Sequence, residues 1–373
     1  MNALLLSAYA AGSHVYWQRV LQGMFSDWRW QSLTLPPRHF SWRVRGNPLF
    51  WSQAETAVLE SPHDILIATS MVDLATLRGQ VPGLAAVPTL LYFHENQFDY
   101  PSQRQPHGLL EAQMVSLYSA LAADCLAFNS HYNRDSFLAG CSALLARLPD
   151  YVPGGVVEGL AAKSRVLPVP VDLPEPLPGP SGLWSAREEK FAPLRLVWVG
   201  RLEHDKGGDG LLQVIRSLDQ QGLAFELAVV GQQFREVPEA FMQIRECYGE
   251  RLVHMGYLPS RQDYLAVLAG ADIVLSTAQH EFQGLAVMEA VGCGCLPVLP
   301  ARQAYPEYFS SEFLYDSDPD DPQEEARSAA RLIVRFCTGD SAARPATPSI
   351  AALGRAGLQG AYAAALSAAK DSH

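Results

Sequence analysis

The sequence predicts an α/β protein of two doubly wound, parallel-sheet domains facing each other across a cleft. Three observations predict it. The chain has 373 residues, more than one compact core usually holds. In both halves short apolar runs alternate with longer amphipathic segments, the β-α-β rhythm of a parallel sheet covered by helices. Between the halves, "PVPVDLPEPLPGPSGLWSAREEKFAP", residues 168 to 193, is too dense in proline for regular structure and reads as a linker.

The elements follow in order. "ALLLSAY", "DILIAT", "TLLYF" and "DCLAFNS" are strands of the first half, each followed by a helical-looking segment. "LRLVWVG", "FELAVVG", "RLVHMG", "ADIVLST" and "CLPVLP" are strands of the second half, separated by helices. The alanine-rich tail, "PSIAALGRAGLQGAYAAALSAAK", reads as a helix that packs back onto a domain. The expected boundaries are 1–170, a linker at 171–193, 194–345, and a tail at 346–373.

Composition excludes several function classes. Hydrophobic residues make up 48% and charged residues 18%, the profile of a soluble globular protein. A formal charge of -11 argues against broad charge-driven nucleic-acid binding but leaves room for a local basic patch. No apolar run is long enough to span a membrane. "MNALLLSAYAAGS" has no positive leader and reads as a buried first strand rather than a signal peptide. Six scattered cysteines show neither metal-ligand spacing nor disulfide density, so a cytoplasmic protein is expected, with a monomer as the default.

Ligands of open parallel sheets lie at the carboxyl ends of strands, so chemistry is expected in the loops there. "HEFQGLAVMEA" holds Glu281 and Glu289 eight positions apart. On one continuous helix they would lie about 80° apart in rotation and two turns distant, too far to share a proton. Gly284 instead predicts a loop that becomes a helix near Leu285, with Glu281 before the start and Glu289 in the first turns. Such a helix N-terminus favours an anion. "LVWVG" runs into "RLEHDKGG", which puts Arg201 and Lys206 in one loop. Two cations and two glycines there suit a diphosphate, and they equally describe a solvated surface turn. The order of residues is not that of a P-loop, and no G-x-G-x-x-G follows the first strand, which disfavours dinucleotide oxidoreductases.

Taken together, "GRLEHDKGG" and "HEFQGLAVMEAVGCGCLPV" resemble the nucleotide-sugar site of retaining GT-B glycosyltransferases of the family-4 type, whose fold is two Rossmann-like domains. The resemblance implies that Arg201 and Lys206 hold the donor diphosphate, that Glu289 binds the ribose, and that Glu281 lies near the sugar hydroxyls. It further implies a donor site including Gly12, Ser13, Gly231, Gly256, Tyr257, Leu258, Phe282, Gln283, Gly284 and Leu285. One departure is that Gln283 separates Phe282 from Gly284, which alters how backbone N–H groups meet the phosphate.

In the first half, "AGSH" and "YFHENQFDYP" each follow a strand. His14 and His94 taken singly read as structural hydrogen-bonders, whereas His94-Glu95-Asn96-Gln97 in a row looks like a substrate-facing loop. With "HFSWRVRGNPLFWSQ", "FNSHYNRDSFL", "GYLPSRQDY" and "TAQHEF", these loops look very like the tRNA-queuosine α-mannosyltransferases. The resemblance implies transfer of mannose from GDP-mannose to the cyclopentene diol of queuosine in the anticodon of tRNA for aspartate. It implies an acceptor side of His14, Arg43, Arg45, Glu95, Asn96, Asn129 and Ser130, with His94 orienting substrate. The family's G-G-S-H differs here in its first glycine, replaced by Ala11, which matters only if that position needs φ > 0.

Local charge fits an RNA acceptor: residues 1 to 53 carry five arginines against one acidic residue, Asp27. Trp42 beside Arg38, Arg43 and Arg45 can stack bases and contact phosphates, or Trp42, Phe50 and Trp51 can be core residues with arginines on the solvent side. Leaving-group stabilisation would come from Arg201, Lys206 and the helix N-terminus. No carboxylate pair is spaced as in hydrolytic glycosidases, and front-face substitution with retention needs no enzyme nucleophile. No cofactor or metal is expected, since "DSDPDD" near the end reads as a solvated loop. The competing readings are a family-4 transferase with a polysaccharide, lipid or metabolite acceptor, a nucleotide-sugar isomerase, and a binding module that has lost catalysis.

Overall fold

The computed structural model describes residues 1–99, 108–185, 192–233, 237–338 and 345–373. The described residues form two units, Met1–Pro170 with Leu353–His373, and Val171–Ala352. Residues 186–191 of the proline-rich linker lie outside the described residues.

The first unit is built on six parallel strands: β1 (Asn2–Ser7), β2 (Arg29–Thr34), β3 (Ile65–Thr69), β4 (Thr89–Phe93), β5 (Cys125–Phe128) and β6 (Ser164–Val166), in the order β2-β1-β3-β4-β5-β6. β1 is a sheet strand between β2 and β3, as its apolar run predicts. The four strands expected from sequence are the central ones, buried on both faces, which is why they read as continuous apolar runs. β2 and β6 were not expected. β2 is an edge strand, "RWQSLT", with most side chains exposed, and its polar composition carries no apolar signal.

The tail helix Arg355–Asp371 belongs to this unit. It buries Leu358, Tyr362, Ala365, Leu366 and Ala369, and the Tyr362 hydroxyl accepts from Trp17 Nε1 at 3.0 Å and donates to the Pro168 carbonyl at 3.0 Å. Burying an aromatic ring of this kind contributes about 1.5–3 kcal/mol.

The second unit has β7 (Leu194–Val199), β8 (Phe225–Val230), β9 (Leu252–Gly256), β10 (Ile273–Leu275), β11 (Leu296–Pro300) and the two-residue β12 (Leu314–Tyr315), in the parallel order β12-β11-β10-β7-β8-β9. Chain order reverses between β7 and β10, the place where an open parallel sheet leaves a crevice beyond its strand ends. The loops that leave those two strands begin at Gly200 and Ser276, and they carry the two motifs singled out above. The described linker is fastened to this unit, because Trp184 covers Gly270 and donates from Nε1 to the Val267 carbonyl at 3.0 Å.

Candidate nucleotide-sugar site and substrate loops

The loop after β7 turns through a short 3₁₀ segment, His204–Lys206, into the helix Gly208–Gln220. Gly207 makes the junction at φ 75°, and a Cβ there would lie 1.8 Å from the Thr277 carbonyl oxygen. Only glycine lets the two loops approach so closely. Thr277 then binds them together: its hydroxyl accepts from Trp198 Nε1 at 3.0 Å and donates to the Gly207 carbonyl at 2.8 Å. The Asp205 carbonyl accepts from the amides of Gln279 and His280. Gly231 supports the same end of the sheet, since a Cβ on it would meet the Gly200 carbonyl at 1.7 Å, and its amide donates to Gly256. Tyr257 is exposed and Leu258 half-buried just beyond.

Charge at this end is tightly paired. Lys206 Nζ donates to Glu281 Oε2 and to the His280 carbonyl, each at 3.0 Å. Arg201 pairs with Glu203 at 2.6 Å and with Asp205 at 3.2 Å. Burial pulls the Lys206 pKa down, but Glu281 and Asp205 outweigh it and the net shift is upward. Burial pushes Glu281 up, yet the Lys206 charge and hydrogen bond, with the amides of Gly284 and Gln283, bring it below the usual carboxylate range. Both groups are therefore charged at neutral pH.

Gly284, at φ 80° and against the Tyr305 ring, opens the helix Leu285–Gly292, as its position in the motif predicts. The Glu281 carboxylate folds back onto the amides of Gln283 and Gly284, so the inserted Gln283 contributes its N–H to Glu281. Glu289 sits buried in the helix, where Arg261 Nη2 donates to Oε1 at 2.5 Å and Tyr264 Oη to Oε2 at 2.9 Å. The two carboxylates thus do different work: one neutralises a lysine in the loop, the other is aimed by an arginine and a tyrosine. Phe282 is buried edge-on to His280.

In the first unit, Ala11 precedes the helix Gly12–Met24 at φ −66°, ordinary extended backbone, so replacing a glycine there brings no strain. Gly12 and Ser13 form the helix's first turn. His14, buried, stacks on His94 with ring centroids 4.1 Å apart, and its Nε2 meets Glu95 Oε2 at 3.3 Å. His94 is enclosed by His14, Trp17 and Tyr92. Burial first, then the neighbouring His14, lowers its pKa well below 6.5 and keeps the imidazole neutral. The structure brings His14, His94 and Glu95 together, as their strand-end positions suggest.

Asn96, Asn129 and Ser130 are placed differently. Asn96 donates to Asn133 and Ser136 and accepts from the amides of Phe98 and Asp99; Asn129 donates to the His94 carbonyl at 2.8 Å. Ser130 caps the helix His131–Leu145 by accepting from the Asn133 amide. All three shape the loop that carries His94 and Glu95. Arg45 pairs with Asp73 and with Glu111, and Arg43 Nε donates to the Pro36 carbonyl.

Comparison with known proteins decides the family. Residues 2–171 match the model described as the tRNA-queuosine alpha-mannosyltransferase N-terminal region, and 186–333 that of glycosyl transferases group 1. The Drosophila melanogaster tRNA-queuosine alpha-mannosyltransferase is 33% identical over 85% of this chain and 84% of its own. The chain belongs to the tRNA-queuosine α-mannosyltransferase family. It is a hexosyltransferase with the GT-B fold. A sucrose-phosphate synthase from Thermosynechococcus elongatus shares that fold at TM-score 0.68 and 17% identity, covering 98% of this chain and 97% of the other. A lipopolysaccharide outer core galactosyltransferase does so at TM-score 0.61 and 13% identity, over 98% and 99%. A Mycobacterium tuberculosis GDP-mannose-dependent alpha-(1-6)-phosphatidylinositol dimannoside mannosyltransferase is 28% identical over 37% of this chain and 35% of its own.

Several residues of this family member escaped sequence reasoning. Arg261 and Tyr264 lie three apart on one face of the helix Arg261–Gly270, capped by Ser260. Their stretch, "GYLPSRQDY", was legible as a strand-end loop, but nothing in it names Glu289 as partner. Asp205, Thr277 and Asn133 carry signals no different from ordinary polar residues. The described residues contain no helix long and apolar enough to cross a membrane.

Proposed function

We propose that this glycosyltransferase moves mannose from GDP-mannose, with retention of configuration, to the cyclopentene diol of queuosine in the anticodon of tRNA for aspartate. The observation that carries the reading is the family membership, spanning 85% of the chain. A GDP-mannose-dependent relative, matching 37% of this chain, supports the donor.

The site suits departure of a nucleoside diphosphate. Breaking the sugar–phosphate bond builds negative charge on the β-phosphate, and Arg201 and Lys206 are the cations placed to meet it. Both already hold carboxylates, so the diphosphate binds by exchange with Glu203 and Asp205. The amides of the first turn after Gly284 add the helix's positive end. Glu289, a carboxylate with four lone-pair positions and two of them met by Arg261 and Tyr264, keeps capacity for the ribose hydroxyls.

Retention fits the state of the carboxylates. Glu281 is bound to Lys206 and two amides, and Glu289 to Arg261 and Tyr264, so each is held as a hydrogen-bond partner rather than offered as a nucleophile. In a front-face displacement the acceptor hydroxyl attacks the anomeric carbon on the side the phosphate leaves, and its proton passes to that phosphate. Neutral His94 accepts or donates a hydrogen bond to a sugar or diol hydroxyl without competing for that proton.

The test is direct: incubate the protein with queuosine-containing tRNA and, separately, GDP-mannose, UDP-glucose or UDP-galactose, then digest and weigh the nucleosides. A hexose added to queuosine from GDP-mannose is expected. Transfer only to a non-RNA acceptor, or only from a UDP-sugar, overturns the acceptor or the donor assignment respectively.

A further inference from the structure

The helix Phe40–Ala54 of the first unit is built in an unusual way. Pro48 removes a backbone donor inside it, and the buried Asn47 side chain replaces that donor by bonding the Val44 and Arg43 carbonyls at 2.8 and 2.7 Å. Two residues before Pro48, Gly46 has no side chain, and the indole of Trp42, one turn earlier, lies across it: a Cβ on Gly46 would stand 2.6 Å from the ring. The indole is therefore seated flat on helix backbone, and Trp42 is still 57% exposed. With one face held against the helix, the ring keeps its other face open to a stacking partner. Phe50, two turns on, is 49% exposed, whereas Trp51 beside it is buried in the core.

The surroundings select the occupant. Arg38 and His39 are exposed immediately before the helix, and Arg43 follows Trp42. Asp27 is the only acidic residue among the first 53, in a chain whose formal charge is -11. Arg45 is committed to Asp73 and Glu111, so the cations for an outside ligand are Arg38 and Arg43. An aromatic platform flanked by cations matches single-stranded nucleic acid, whose bases stack and whose phosphates pair with arginine.

We propose that Trp42, seated on Gly46, is a nucleobase-stacking platform for an unpaired base of the RNA acceptor, with Arg38 and Arg43 contacting the flanking phosphates. This rests on the reading of the acceptor as a tRNA, and it assigns that acceptor a contact outside the His14–His94–Glu95 cluster. Gly46 is a positioning residue, since it acts by leaving room for the ring.

The experiment is tRNA binding by the full chain, followed by fluorescence anisotropy at several salt concentrations, with donor nucleotide binding and thermal melting measured on the same samples. Trp42→Ala is expected to weaken binding about tenfold, the scale of one lost base stack, with the salt slope unchanged. Trp42→Phe should recover most of the loss, and Gly46→Ala, which pushes the indole off its seat, should fall between. Arg38→Ala with Arg43→Ala should instead lower the salt slope, because phosphate contacts release counterions. Donor nucleotide affinity should not change in any of them. Trp42→Ala binding tRNA as tightly as the unmodified chain overturns the proposal, as does a Trp42→Ala chain that only changes its self-association. The wild-type chain failing to glycosylate queuosine overturns the acceptor reading instead; the binding series still decides whether Trp42 stacks on RNA.

Discussion

Lys206→Met is the sharpest probe of the candidate nucleotide-sugar site. Lys206 and Glu281 are 3.0 Å apart, with side chains 16% and 23% exposed. At that distance and an effective dielectric of about 20, their attraction is about 5 kcal/mol before desolvation is set against it. Removing one member of a buried pair costs about 3–5 kcal/mol, because the carboxylate keeps its burial and loses its cation. For a unit of this size that is a fall in melting temperature of about 6–20 °C.

The pH dependence carries the sign. In the unaltered protein the Glu281 pKa is lowered, so its share of stability is present above the ordinary carboxylate range and is lost as pH falls through the folded value. In Lys206→Met the upward push of burial meets only the amides of Gly284 and Gln283. The pKa rises, and the deficit is largest at neutral pH and shrinks toward acid as Glu281 takes a proton. Adding Glu281→Gln should return about 2 kcal/mol or more of the loss, since no uncompensated charge remains, while transfer activity stays absent. The assay is thermal melting from pH 4 to 8 on both single variants and the double. A Lys206→Met chain as stable as the parent at pH 7, or a double variant no more stable than Lys206→Met, refutes the reasoning.

Three other outcomes are expected. Gly207→Ala must place a Cβ 1.8 Å from the Thr277 oxygen at φ 75°, costing about 3 kcal/mol or more and lowering donor affinity; an unchanged melt and KM would contradict it. Arg261→Ala frees Glu289 from its aim and should raise the donor KM about 10- to 100-fold with a smaller change in kcat, read from initial rates against GDP-mannose. His94 has a pKa far below 6.5 when folded, so the unfolded chain binds a proton that the native chain does not, and stability should fall as pH drops below 6.5; His94→Phe should flatten that part of a melting-versus-pH curve.

Much of the fold was legible because strands buried on both faces have no choice of side chain. β1, β3, β4, β5, β7, β8, β10 and β11 are apolar runs for that reason, whereas β9, half-buried at the sheet edge, keeps only part of the pattern. β2 escaped because an edge strand with solvent on it is written in polar residues, and the two-residue β12 is too short for any pattern. Of the site, Gly284 and the helix it opens were legible from the motif itself, whereas Arg201 and Lys206 read equally as a surface turn until the family resemblance joined them to Glu281 and Glu289. Asn129 and Ser130 drew attention by position, yet a polar residue after a strand can face a substrate or cap the next helix, and one-dimensional order does not distinguish the two.

By itself the sequence determined the α/β class and the family resemblance, since these rest on local patterns and on residues close in the chain. Tertiary structure decided the partners. Glu281 meets Lys206 across 75 residues because chain order reverses between β7 and β10, which brings together loops that the sequence holds apart, and Glu289 meets Arg261 across 28 because the helices Arg261–Gly270 and Leu285–Gly292 pack together. It likewise decided which tryptophan of "WRVRGNPLFW" is core and which is surface: Trp51 turns into the sheet, and Trp42 lies outward on the one residue of its helix turn without a side chain.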